Sequence, residues 1–208
     1  MFLSKVCLPQ SLQHNPYEVH RQLWQLFPHQ PQARRDFLFR VEGMQPGQGL
    51  IVLLQSAHAL KTQKDERVLA SKPFALTLPI GIQLRFRLRA NPVRTICDQK
   101  HGRLQQKGRR AGKLKHCRVP LFKEEQQRDW LQRKLADTAR IDTLLIQQEV
   151  PLYFHKGARS ERIEGKVQPV LFDGLLTISN SSGFVALLNE GIGPAKAFGC
   201  GLLSIAPA

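Results

Sequence analysis

Cysteine, acid and aromatic side chains are all scarce in this sequence. Its four cysteines, Cys7, Cys97, Cys117 and Cys200, lie far apart with no CxxC pair. That argues against a zinc site or a disulfide framework and leaves reduced thiols as the expectation. Apolar runs such as 50–54 fall far short of the ~20 residues that cross a bilayer. The start, Met1-Phe2-Leu3-Ser4-Lys5-Val6, lacks a basic stretch leading into a long apolar one. No secretory leader and no membrane partner are therefore expected, and a cytoplasmic location is. Asp and Glu total only 16 and are scattered, so no acidic pair suggests a two-metal centre. His14 and His29 have no ligand spacing with other donors, and the reading includes no metal and no small-molecule cofactor. Aromatics make up 7% and do not cluster as they do in modules that stack bases.

What is present is positive charge. Lys and Arg number 31, giving a net +15 over 208 residues. Residues 1–84 hold 9 basic and 5 acidic groups, residues 85–118 hold 12 and 1, and residues 119–208 hold 10 and 10. A field so concentrated points to a polyanion-binding surface.

Hydrophobic residues are 42% of the chain, enough for a packed core. Period-2 patterning predicts strands over 2–8, 36–42 and 50–56, with a hairpin loop at 43–49. Asn15-Pro16 reads as N-cap and first helical residue of a helix over 17–27, ended by Pro28. Residues 57–72 are weakly patterned, a short helix or a loop. Strand patterns follow at 74–78 and 80–88. A second series has strands at 115–121, 143–154 and 163–178, a helix over 123–137, a short helix over 184–188 capped by Ser181 or Ser182, and a last strand at 202–206. The fold class expected is α+β. Two tandem ferredoxin-like (RRM-like) βαββαβ domains, 1–92 and 115–208, flank a basic linker, 93–114.

Tyr17 and His20 stand three residues apart and share a helix face. Histidine suits proton transfer near neutral pH, and tyrosine can orient or relay. The pair is equally readable as half-buried surface, since Val19 and Leu23 flank it. Without a metal, RNA is the phosphodiester that brings its own nucleophile, the 2′-hydroxyl. The protein need then only hold the in-line geometry, assist proton transfer and neutralise charge.

Four basic features could meet the RNA. Alternation in Leu84-Arg85-Phe86-Arg87-Leu88-Arg89 puts Arg85, Arg87 and Arg89 on one strand face. That face needs anions, or it is a charge-guarded edge. Arg103, Arg109, Arg110, Lys113, Lys115 and Arg118, spaced by glycine and glutamine, would neutralise phosphates or form a solvated tether. The tip at 155–164 is a candidate groove probe. The glycine loop 191–201 would let its backbone approach a phosphate, with Gly193 and Gly199 giving access and Lys196 adding charge. It fits neither a Walker loop nor a dinucleotide fingerprint, and a tight helix-to-strand connection would look the same. A module that binds RNA without cutting it remains the second reading.

The opening Phe2-Leu3-Ser4-Lys5-Val6, the helix Tyr17-Glu18-Val19-His20-Arg21-Gln22-Leu23-Trp24, and the segments Phe86-Arg87-Leu88-Arg89-Ala90-Asn91-Pro92 and Gly191-Ile192-Gly193-Pro194-Ala195-Lys196 resemble the CasE family of CRISPR RNA endoribonucleases in type I-E Cascade. The resemblance runs the length of the chain. It implies two ferredoxin-like domains and metal-independent cleavage of the CRISPR repeat hairpin, leaving a 2′,3′-cyclic phosphate. Retention of the hairpin beside other Cascade subunits is implied as well. The family's catalytic histidine and tyrosine fall on His20 and Tyr17. Its groove-entering hairpin falls on 154–168, which points to Arg159, Arg162 and Lys166.

Overall fold

A computed structural model describes residues 1–27, 36–60, 65–97, 116–156 and 163–208. The first unit runs β1 (Phe2–Leu8), α1 (Pro16–Trp24), β2 (Phe37–Gln45), β3 (Gly49–Ser56) and β4 (Val68–Pro73). Its strands form one antiparallel sheet in the order β2-β3-β1-β4. Asn15 stands extended before α1 and its side-chain oxygen accepts from Tyr17 N at 3.2 Å, with Pro16 at the first helical position. So short a helix is marginal alone. It is held by burying Val19 and Leu23 against Val6, Phe37, Phe39, Val52 and Leu54. Burial of Leu23 alone contributes about 1.5–3 kcal/mol.

The chain continues as β5 (Gln83–Ala90), a hairpin of β6 (Val93–Cys97) and β7 (His116–Pro120), and α2 (Glu124–Leu135). Next come β8 (Ala139–Gln148), a second hairpin of β9 (Leu152–Lys156) and β10 (Ile163–Val167), β11 (Val170–Ile178), α3 (Ser181–Glu190) and β12 (Leu203–Pro207). The second sheet is ordered β12-β5-β11-β8. Each sheet thus places its strands fourth, first, third, second, the ferredoxin-like arrangement of an α+β fold. Leu84, Phe86, Leu88 and Ala90 on the inner face of β5 pack with Trp130, Leu131, Phe172 and Phe184 in the second core.

Several elements sit elsewhere than the pattern predicts. The alternating strand expected to close the first domain is β5, which opens the second sheet between β12 and β11. The first sheet is closed instead by β4, an edge strand so exposed that it carries no alternating signal. Residues 74–78 are not strand, and the described part of 57–67 is not helix. The strand predicted to start the second domain is β7, paired with β6. The basic run therefore lies in sequence between the two strands of a hairpin, inside the β5-to-α2 crossover. The predicted strands 143–154 and 163–178 each divide in two, around Pro151 and Gln168-Pro169. Asn180, not Ser181 or Ser182, caps α3, accepting from Gly183 N at 3.0 Å.

The two units meet through buried polar groups. Arg40, 4% exposed, donates to Glu42 at 2.9 Å and to the Arg87 carbonyl at 3.0 Å. Burial pulls its guanidinium below the ordinary arginine range, and Glu42 opposes that shift. Gln55 donates to the Leu188 carbonyl of α3 at 2.7 Å.

Candidate functional site

Tyr17 and His20 are both half-buried on α1, one turn apart. The His20 ring lies over the first core's aromatics, its centroid 5.4 Å from Phe37 and 6.3 Å from Phe39, with Trp24 edge-on at 6.2 Å. Its Nε2 is shielded from water. Such packing fixes the ring plane, which a group moving a proton to a defined atom requires.

The glycine loop comes to this helix. Its 3₁₀ turn, Lys196–Phe198, packs against α1, as does β9. The loop is closed by Ile192 N donating to the Gly201 carbonyl at 2.9 Å, and is tied to β5 by Gly201 N donating to the Arg89 carbonyl at 2.7 Å. Gly199 has φ +77°, and a Cβ there would lie 3.2 Å from the Phe39 ring. Ala195 holds a left-handed φ of 65° despite its side chain, at a cost of roughly 1–2 kcal/mol. Phe198 stacks on Phe154 of β9 at 4.2 Å between centroids. Gly165, across the ladder on β10, makes room for that ring, since a Cβ there would sit 2.2 Å from it. Helix, loop and hairpin thus converge through side chains that neighbour one another only after folding.

The remaining predicted contacts divide. Arg85 donates to the Pro207 carbonyl at 2.9 Å, Arg87 pairs with Asp173 at 2.7 Å, and Arg89 pairs with Glu149 at 2.6 Å. The chain itself therefore supplies carboxylates to Arg87 and Arg89, while Arg85 meets a neutral carbonyl. The Asp173 bond raises the pKa of Arg87 further. Arg118 is exposed on β7, and Lys166 holds its ammonium 5.7 Å over the Tyr153 ring. Lys196 Nζ donates to the Glu190 carbonyl at the end of α3, at 2.5 Å. Gly193 fits against Trp130, whose ring would lie 2.8 Å from a Cβ there. Arg103, Arg109, Arg110, Lys113, Lys115, Arg159 and Arg162 lie outside the described residues. Cys200 is fully buried and its thiol is pushed up to about 12, chiefly by desolvation, so it offers no thiolate nucleophile. Among the described residues no three His, Cys, Asp or Glu side chains group to hold an ion, and no helix is long and apolar enough to cross a membrane.

Sequence reasoning missed Phe154, Phe198, Glu149 and Asp173. The first two are ordinary apolar residues in their own segments. The acids' partners are 60 and 86 residues away, so no local pattern could mark them.

Residues 1–207 match the family model described as CRISPR associated protein. The chain belongs to this family of CRISPR-associated proteins. It is 45% identical over 207 residues to the CRISPR system Cascade subunit CasE of Escherichia coli K12, covering 100% of both chains. Its fold matches the crystal structure of Cas6e from E. coli K-12 with a TM-score of 0.81, at 43% identity and full coverage of both. The CRISPR endoribonuclease Cse3 bound to 19-nucleotide RNA matches with a TM-score of 0.78, at 31% identity and full coverage of both.

Proposed function

We propose that this chain is an endoribonuclease that cuts the repeat hairpin of precursor CRISPR RNA and keeps that hairpin as a subunit of Cascade in the cytoplasm. The observation that carries the reading is the helix bearing Tyr17 and His20, packed against a glycine loop of left-handed residues, in a chain that matches an RNA-bound endoribonuclease from end to end. The 2′-oxygen attacks the adjacent phosphorus, and the bond to the 5′-oxygen breaks. The products are a 2′,3′-cyclic phosphate and a 5′-hydroxyl, and one proton passes from the 2′-hydroxyl to the leaving oxygen. His20 serves that transfer and Tyr17 supports it, with no metal or cofactor in the step. The loop residues Gly193, Lys196 and Gly199 approach the scissile phosphate. Lys166, the run at 103–115 and the tip residues Arg159 and Arg162 grip the stem, and Arg118 meets the RNA backbone beside it. Arg85, Arg87 and Arg89 act chiefly by bracing the sheet.

His20→Ala should slow cleavage of a repeat hairpin by about 10²–10⁴-fold. Hairpin affinity should stay nearly unchanged, and wild-type cleavage should proceed in chelator. Cleavage that needs magnesium, or that survives in the variant, rejects the reading. The shielding of the His20 Nε2 favours a second reading, a module that only holds the hairpin. On a gel that module gives a shift and no product from the wild-type chain.

A further inference from the structure

The turn Lys196–Phe198 borders another space besides the face of α1. A groove of about 680 Å³ opens between this loop, Val93 and Arg118 of the β6–β7 hairpin, and the last turns of α2. Among the described residues its lining carries three cations, Arg118, Lys134 and Lys196, and no carboxylate. They come from three separate elements, so no single amphipathic pattern accounts for their meeting. Trp130, 4% exposed, closes the groove on the α2 side, and Gly193 lies against its ring at a distance that admits no side chain. Cations converging from separate elements raise the local potential and concentrate anions. The volume matches clefts that hold nucleotide-sized ligands, ~300–1,000 Å³, and would seat a single strand rather than a duplex.

Because one turn both packs on α1 and lines this groove, a strand leaving the Tyr17–His20 face reaches it within a short step. We infer that the groove takes the single-stranded RNA immediately 3′ of the scissile phosphate, seating its phosphodiesters between Arg118, Lys134 and Lys196. This rests on the endoribonuclease reading. The retained hairpin ends at the scissile phosphate, so it lacks the nucleotides that the groove holds. The groove therefore tightens uncleaved substrate without tightening product, and the downstream piece can leave while the hairpin stays.

The test uses the full chain and two repeat RNAs made uncleavable by a 2′-deoxy sugar at the attacking position. One ends at the scissile phosphate and the other carries a short 3′ extension. The wild-type chain should bind the extended RNA about tenfold tighter. Lys134→Gln should remove most of that advantage, lower the salt slope for the extended RNA by roughly 0.7, and leave the truncated RNA unaffected. Lys134→Arg should restore it. Equal losses on both RNAs, or none on either, would overturn the inference. So would loss of assembly with the other Cascade subunits at unchanged RNA affinity, which would make the groove a protein site. If the wild-type chain does not cleave the extended RNA in its ribose form, the nuclease reading has failed. If it cleaves but the extension adds no affinity, only the groove assignment has.

Discussion

In the first unit the crossover from β1 to β2 centres on one nine-residue helix, and that helix bears Tyr17 and His20. In the second, the crossover from β5 to β8 carries the β6–β7 hairpin before its helix, and the β8-to-β11 connection carries the β9–β10 hairpin. The strand order is the same in both, yet most of the excess charge lies in the stretch from β5 through β7. A ferredoxin-like core tolerates such insertions because its hydrogen bonding is complete without them. One copy can therefore keep a short helix fixed in its crossover while the other grows arms, the division of labour on which the proposed function relies. Arg40 and Gln55, bonded across the boundary, hold the two in one geometry.

The sharpest way to break that comparison is to injure the second sheet and ask whether the first survives. Gly174 lies at the middle of β11, and a Cβ there would sit 2.1 Å from the Thr143 carbonyl oxygen. Backbone, not a movable side chain, blocks it. Gly174→Ala should cost about 3 kcal/mol and lower the melting temperature by roughly 6–12 °C. A single shifted transition means the units unfold as one body. Two transitions, with the first at its wild-type position, mean the Arg40 and Gln55 bridge does not couple them.

Much of this division was legible before folding was considered, and the illegible part has physical causes. β1, α1 and the β2–β3 hairpin follow from alternation, the Asn15-Pro16 cap and a turn. The alternation at β5 marked a strand but not its sheet, because period 2 reports a buried face and says nothing of which neighbour hydrogen-bonds. β4 went unseen because almost all of it is exposed. Tyr17, His20 and the glycine loop were visible as local motifs. Their meeting depends on Phe154 against Phe198 and on Gly201 against Arg89, contacts between distant segments.

A smaller effect sharpens the difference between core and arm. Phe154 fixes the β9–β10 hairpin to the glycine loop, and Gly165→Ala would push its ring off Phe198. The hairpin stands outside both four-stranded sheets, so stability should change by less than about 1 kcal/mol. Affinity for the repeat hairpin should fall roughly tenfold, about 1.4 kcal/mol. A drop in melting temperature as large as that of Gly174→Ala would show that the arm belongs to the core.

The smallest effect concerns how α1 is braced. Arg67 donates to both Asp65 oxygens, at 2.9 and 2.7 Å, and to the side-chain oxygens of Gln22 and Gln25 at 3.3 and 3.4 Å. The hydrogen-bonded guanidinium holds the Asp65 carboxyl below its ordinary 3.8. Around that value the unfolded chain takes up a proton while the folded chain stays ionised. The contribution to stability is therefore complete above pH 3.8 and is lost as pH falls through the lower folded value. The pair is partly exposed, so its size stays within the ~0–1 kcal/mol of surface bridges. Asp65→Asn should lower the urea midpoint slightly at neutral pH and give a shallower loss on acidification to about pH 3. An acid loss as steep as that of the wild-type chain would place the responsible carboxylate elsewhere. Because the clamp grips α1 from the β4 side, away from the arms that the proposed function gives to the RNA stem, the same variant should leave RNA affinity unchanged.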